Sequence, residues 1–159
     1  MTDRLDLRAA AAGDDAFLFR LYCDTRTEEV NRWGWPAPQQ EAFLRMQFEA
    51  RRRSYQAAYP AAVNEIICAG AAPIGRILTA RDEDSIWLVD IALLGSHRNQ
   101  GIGAGLIERL LAECARESLK LRLQVAVGNP AERLYRRLGL REIARDEIYV
   151  AMESAPGDI

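Results

Sequence analysis

The chain has 159 residues, 49% of them hydrophobic, so one compact domain over residues 1–159 with a sizeable core is expected. Its formal net charge is −2 and its sequence pI about 5.5, so its overall charge gives no drive toward nucleic acid or an anionic membrane. No run of about 18 apolar residues occurs, and Cys23, Cys68 and Cys114 lie far apart like buried small hydrophobes; a cytoplasmic protein without a membrane partner is the expectation. His97 is the only histidine and no thiolate cluster could replace it, so no metal site is expected.

Residues 4–9 alternate and predict an opening strand. Asp14 or Asp15 then caps a helix through Phe17, Leu18, Leu21 and Tyr22. Residues 31–38 read as a loop, with two tryptophans among glycine and proline. Residues 39–55 predict a second helix, with Phe43, Met46, Gln47 and Phe48 near one face and Arg51, Arg52 and Arg53 on a solvated one. Three strands follow at 65–69, 74–80 and 85–94, joined by turns at 71–73 and 82–84.

A helix starts at Gly103, and Leu106, Ile107, Leu110, Leu111 and Cys114 form its apolar stripe. Residues 121–127 alternate as a strand. Asn129 as N-cap, Pro130 at the first helical position and Gly139 just past the end delimit a short helix with Ala131, Leu134, Tyr135 and Leu138 facing inward. Strands near 140–144 and 148–152 close the chain, and their edges are compatible with a homodimer. The order β-α-α-β-β-β-α-β-α-β-β defines an α/β domain with a mixed sheet.

The densest glycine run in the chain lies between the third of these central strands and the third helix, at Gly101, Gly103 and Gly105. A Walker P-loop needs a lysine after the glycines, and none follows. A dinucleotide fingerprint needs a third glycine where Leu106 stands. That disfavours a nucleotide phosphate site. The remaining anion reading is a loop whose amides converge on a pyrophosphate as it turns into a helix, with Arg98 at its rim. The alternative is that the glycines only make a tight turn and let helix and sheet pack closely.

Arg98-Asn99-Gln100-Gly101-Ile102-Gly103 resembles the acyl-CoA pyrophosphate motif of the GNAT superfamily of N-acetyltransferases, Q/R-x-x-G-x-G/A. Ile91 to Leu94 resembles the strand that leads into it, and Asn129 with the segment Leu134-Tyr135-Arg136-Arg137-Leu138-Gly139-Leu140 resembles that family's later N-x-A-x-x-L-Y-x-x-L-G-F segment. Gly95 stands where the family often has proline, Asn99 where glycine is common, and Leu140 in place of phenylalanine; asparagine tolerates left-handed backbone better than most residues.

The resemblance implies a GNAT-like fold: a mixed sheet of six or seven strands, about four flanking helices, and central strands that splay apart. It implies acetyl-CoA as cosubstrate and a primary amine of a small molecule or peptide as acceptor. Cofactor contacts are implied for Leu93, Leu94, Arg98, Asn99, Gln100, Gly101, Ile102, Gly103, Ala104 and Asn129, although a cap role explains Asn129 equally well. The acceptor pocket of the family is built by the first two helices and their loop. Trp33, Trp35, Gln47 and Tyr55 are the candidates for its wall, with Met46 beside them.

Two proton transfers accompany acetyl transfer to an amine. An alkylamine has a pKa of about 10.4, so supplying its neutral form at pH 7 costs about 4–5 kcal/mol. A departing thiolate gains from a nearby acid. The resemblance makes Tyr135 that acid, though its place on an apolar stripe also suits a core tyrosine. Asp90, in an otherwise apolar strand, is either a base or anchor for the amine or a structural carboxylate; Glu65 is a weaker candidate. Asp24, Glu28 and Glu29 either favour a cationic amine or lie on a solvated face. His97 and Trp87 read as a loop residue and strand packing. A non-catalytic acyl-CoA-binding module on the same fold is the alternative to an enzyme.

Overall fold

A computed structural model describes residues 4–155. In chain order these form β1 (Leu5–Ala9), α1 (Asp15–Asn31), α2 (Ala37–Ala58), β2 (Val63–Ala69), β3 (Ala72–Arg81), β4 (Ser85–Leu93), α3 (Ile102–Glu117), β5 (Lys120–Ala126), α4 (Ala131–Arg137), β6 (Arg141–Arg145) and β7 (Tyr149–Glu153). The predicted element order is observed throughout. Short 3-10 turns at Ala12–Asp14 and Gly95–His97 are additional to it. The seven strands form one sheet in the order β1-β2-β3-β4-β5-β7-β6.

Backbone contacts divide the chain into two compact units, Met1–Ile77 with Ile91–Arg98 and Leu78–Asp90 with Asn99–Ile159. In the first, β1 pairs antiparallel with β2 from Leu5↔Ala69 to Ala9↔Glu65. The apolar faces of α1 and α2 bury Leu18, Phe19, Val30, Leu44 and Phe48 against Ile66 and Cys68 of β2. Fully burying such a side chain contributes about 1.5–3 kcal/mol relative to exposure. The α2 stripe differs from expectation in one position: Leu44 is in the core, whereas Met46 is 59% exposed.

The loop between these helices is also shorter than predicted, because α1 continues to Asn31 and α2 begins at Ala37. The basic stretch of α2 is only partly solvated. Arg52 lies over the Phe48 ring and pairs with Asp15 and Glu49, and Arg51 lies over the Tyr22 and Tyr55 rings. Only Arg53 of the three is exposed.

Asp14 does not cap α1 with its side chain. The carboxylate turns back instead, accepting the Ala11 N–H at 2.8 Å and a forked pair of bonds from Arg8 at 2.8 and 2.9 Å. β1 is thereby tied to the turn that launches the helix. The β2–β3 turn falls at Gly70 and Ala71, one residue before the predicted site, with Gly70 left-handed at φ 59°. Farther along β3, a Cβ on Gly75 would lie 2.4 Å from the Ala92 carbonyl oxygen. Glycine is required there because β4 backbone occupies the space.

The second unit is built on β4, β5 and β7. The parallel β4–β5 register runs from Ser85↔Lys120 to Leu88↔Leu123. β4 then continues to Leu93 and β5 to Ala126, with no further register pair between them among the described residues. β7 pairs antiparallel with β5, and β6 forms the sheet edge with a register shift between Glu142 and Ala144. Leu106, Ile107 and Cys114 of α3 join Ile86, Leu88, Leu121, Leu123, Val125, Val150 and Met152 in the core. Burial pushes the Cys114 thiol up to about 11, consistent with its reading as a small hydrophobe.

Two of these contacts have consequences for stability. Bonds from Arg8, then from the Ala11 N–H, hold the Asp14 carboxyl down at about 2, below its ordinary value of 3.8. A depressed carboxyl contributes stability above its unfolded pKa and loses it as pH falls toward the folded one. The melting temperature should therefore drop between pH 3.8 and 2, and Asp14→Asn should lower it at neutral pH while flattening that acid slope. Gly75→Ala should destabilise by about 1–3 kcal/mol in urea unfolding, since the clash is with backbone.

Candidate functional site

The turn into α3 is set by two left-handed residues, Asn99 at φ 61° and Gly101 at φ 81°. Asparagine thus adopts the conformation that makes it an acceptable substitute for glycine. Gly101 is the N-cap residue, without a side-chain cap, and the first turn carries no acidic residue. The Gly105 N–H donates to the Gly101 carbonyl at 3.0 Å. This first helical bond leaves the N–H groups of Ile102, Gly103 and Ala104 with no acceptor inside the helix. Their partial positive charge, with that of the helix dipole, suits an anion.

The glycines do not serve close packing. A Cβ built on Gly101, Gly103 or Gly105 meets nothing within 4 Å. The simplest sequence explanation of Gly105, helix packing, therefore has no neighbour to support it. What the three glycines share is open space beside the helix start.

Tyr135 sits on α4, 8% exposed, within the second unit. Burial first, and the Asp90 charge second, push its phenol above its ordinary pKa. Asp90 is half-buried on β4, two residues past the last position paired with β5. The two residues singled out for catalysis are thus electrostatically coupled within one unit. Asn129 is not the cap residue: α4 begins at Ala131 and Pro130 occupies the cap position. Its side chain nevertheless caps the turn, since Oδ1 accepts the Ala131 N–H at 2.9 Å.

In the first unit, Leu93 ends β4 and Leu94 follows it. The Leu94 N–H donates to the Ile74 carbonyl at 2.8 Å, and its own carbonyl accepts the His97 N–H at 2.9 Å. Strand backbone groups alternate in direction, so those of Leu93 face away from β3. The Leu93 carbonyl accepts from Arg98 Nε at 2.9 Å. Arg98 Nη2 reaches Asp24 Oδ2 at 3.2 Å, so its guanidinium is tied to two partners of the chain.

Trp33, Trp35 and Phe43 form a three-ring cluster with centroids 4.9, 5.3 and 5.4 Å apart. Gln47 Oε1 accepts from Arg26 Nη1, which also donates to the Tyr22 hydroxyl at 2.6 Å. The Tyr55 hydroxyl accepts from Arg51 Nε at 2.8 Å, and its ring lies beneath Arg51 and Arg76. Glu29 pairs with Arg26 and Asp24 with Gly95 and Arg98, so both carboxylates act as internal partners. Trp87 donates its Nε1–H to Asp82 at 3.2 Å, in keeping with a strand-packing role. Neither the Asp24 nor the Gln47 contact has a sequence signal, because their partners lie 71 and 21 residues away.

A profile of the Acetyltransferase (GNAT) family matches residues 17–140, more than half the chain, and the protein belongs to that family. Several solved structures share its fold. The paiA N-acetyltransferase from Thermoplasma acidophilum, in complex with coenzyme A, is 15% identical at a TM-score of 0.69, covering 95% of this chain and 98% of its own. An acetyltransferase from Thermus thermophilus is 18% identical at a TM-score of 0.69, covering 98% and 99%. The histone acetyltransferase HPA2 and related acetyltransferase from Corynebacterium glutamicum is 20% identical at 0.67, covering 98% and 97%. No curated protein sequence matches the chain. No described helix is long and apolar enough to cross a membrane.

The open space at Gly103 separates a packing role from a ligand role. Gly103→Val should leave the melting temperature nearly unchanged, because valine costs no more helix propensity than glycine and a Cβ at 103 has nothing within 4 Å. The same variant should weaken coenzyme A binding by about tenfold or more in calorimetric titration, as a side chain then fills the anion's approach.

Proposed function

We propose that the protein is an N-acetyltransferase that moves an acetyl group from acetyl-CoA directly to a primary amine of a small molecule or peptide. The observation that carries this reading is the start of α3: unpaired amides from Ile102 to Ala104, flanked by glycines that open onto free space. Amides from Gln100 to Ala104 would hold the cosubstrate pyrophosphate, and Leu93 would offer backbone groups to the pantetheine arm. The presence of coenzyme A in a relative of the same fold supports this assignment.

Acetyl-CoA supplies the activated thioester carbonyl. The protein's part is to manage two protons. Tyr135 keeps its proton well beyond the neutral range, because burial and the Asp90 charge both raise a pKa that is ordinarily 10.0. It is therefore in the right form to donate to a developing thiolate. Asp90 holds the cationic amine and receives its proton, directly or through water, offsetting part of the cost of the neutral nucleophile. The Trp33–Trp35–Phe43 cluster, Gln47 and Tyr55 are the proposed wall of the acceptor pocket.

Free thiol release from acetyl-CoA in the presence of a panel of amines tests the activity. Tyr135→Phe should lower kcat by about 10²-fold or more with coenzyme A affinity unchanged. The raised phenol pKa carries a sign: the rate should hold through neutral pH and fall only above pH 10, as Tyr135 ionises. Coenzyme A binding without thiol release across a broad amine panel would instead indicate a binding module.

A further inference from the structure

The backbone after β4 is closed by a ring of four groups. The Gly95 N–H donates to Asp24 Oδ2 at 2.7 Å. Arg98 Nη2 donates to the same oxygen at 3.2 Å, and Arg98 Nε to the Leu93 carbonyl at 2.9 Å. One carboxylate oxygen on α1 thus grips the chain on both sides of Leu94. With the Leu94 bonds to Ile74 and His97, these contacts fix the segment from Leu93 to Arg98.

This grip matters because of what stands at position 95. Leu94 has φ −56° and ψ 145°, the conformation a residue adopts before proline, and a 3-10 turn starts at the next residue. A proline at 95 would fit the backbone and rigidify it. Glycine does the opposite, bringing the largest conformational freedom of any residue. Gly95 is not left-handed, and a Cβ there would meet Asp24 Oδ2 at 3.4 Å, an ordinary contact. Neither smallness nor positive φ is being used. The N–H is, and proline has none.

We propose that Asp24 is a positioning residue for acyl-CoA: through Gly95 and Arg98 it fixes the Leu93–Leu94 backbone on which the cosubstrate arm lies. This rests on the reading that those residues contact acyl-CoA. It removes Asp24 from any role in attracting a cationic acceptor. It also gives Arg98 a second task, holding the Leu93 carbonyl.

The test is coenzyme A titration and acetyl-CoA kinetics on the full chain, with melting temperatures alongside. Asp24→Ala should weaken coenzyme A by about tenfold and raise KM for acetyl-CoA to match, as expected for lost charge-assisted hydrogen bonds, with kcat within about twofold. Adding Gly95→Pro to Asp24→Ala should restore most of the lost affinity, since proline replaces the lost restraint.

Wild-type affinity in Asp24→Ala with only a lower melting temperature would show a merely structural contact and overturn the proposal. So would a double variant that Gly95→Pro fails to rescue. If Asp24→Ala does not fold, Asp24→Asn decides, with weaker coenzyme A binding expected and unchanged binding contradictory. Absence of coenzyme A binding by the wild type would instead defeat the functional reading itself.

Discussion

Three backbone amides at the start of α3 have no acceptor in the helix they begin, and much of the surrounding architecture serves that condition. A helix must leave such groups at its N-terminus, and most helices answer with a side-chain cap. Here the cap position is Gly101, which has no side chain to offer, with the left-handed Asn99 two residues before it and Gly103 in the first turn. Aspartate or glutamate in the first turn would satisfy the amides internally; none is present. The helix start remains complementary to an external anion because the sequence withholds every internal one. The cost is borne by the rest of α3, whose Leu106, Ile107 and Cys114 are nearly fully buried.

A second condition concerns protons. Tyr135 is polar in name but packed like a core residue, and the same burial that stabilises α4 raises its phenol pKa. A structural tyrosine and a general acid are therefore not competing readings of this residue. The proposed chemistry uses the packing. Asp90 gains significance in the same way. Its charge is felt at Tyr135 from a strand position beyond the last β4–β5 pair, where a carboxylate is not required by the sheet.

The fold was largely legible in the sequence because its signals are local. Periodicity placed all eleven helices and strands in order, and the paired motifs around Gly101 and Tyr135 identified the family that the profile match establishes. Errors fell at boundaries, as at the β2–β3 turn, where Gly70 rather than Pro73 makes the reversal. What the sequence withheld was the partnership of charged side chains. Asp14 has the position of a helix cap and instead pairs with Arg8; Arg51 and Arg52 have the pattern of a solvated face and instead cover aromatic rings. The bond between Asp24 and Gly95 spans 71 residues, and no periodicity or motif encodes it. Long flexible cations pack their stems on apolar surface wherever the fold offers one. Their partners become known only when the fold does.

The central claim, that the α3 amides receive the cosubstrate pyrophosphate, is most directly tested by amide chemical shifts of the ¹⁵N-labelled protein during titration with coenzyme A. The account predicts that the largest downfield shifts fall on the N–H groups of Gly101 to Ala104, with pantetheine, which lacks the pyrophosphate, leaving them unmoved. Saturable coenzyme A binding that leaves those four amides at their free positions would contradict it.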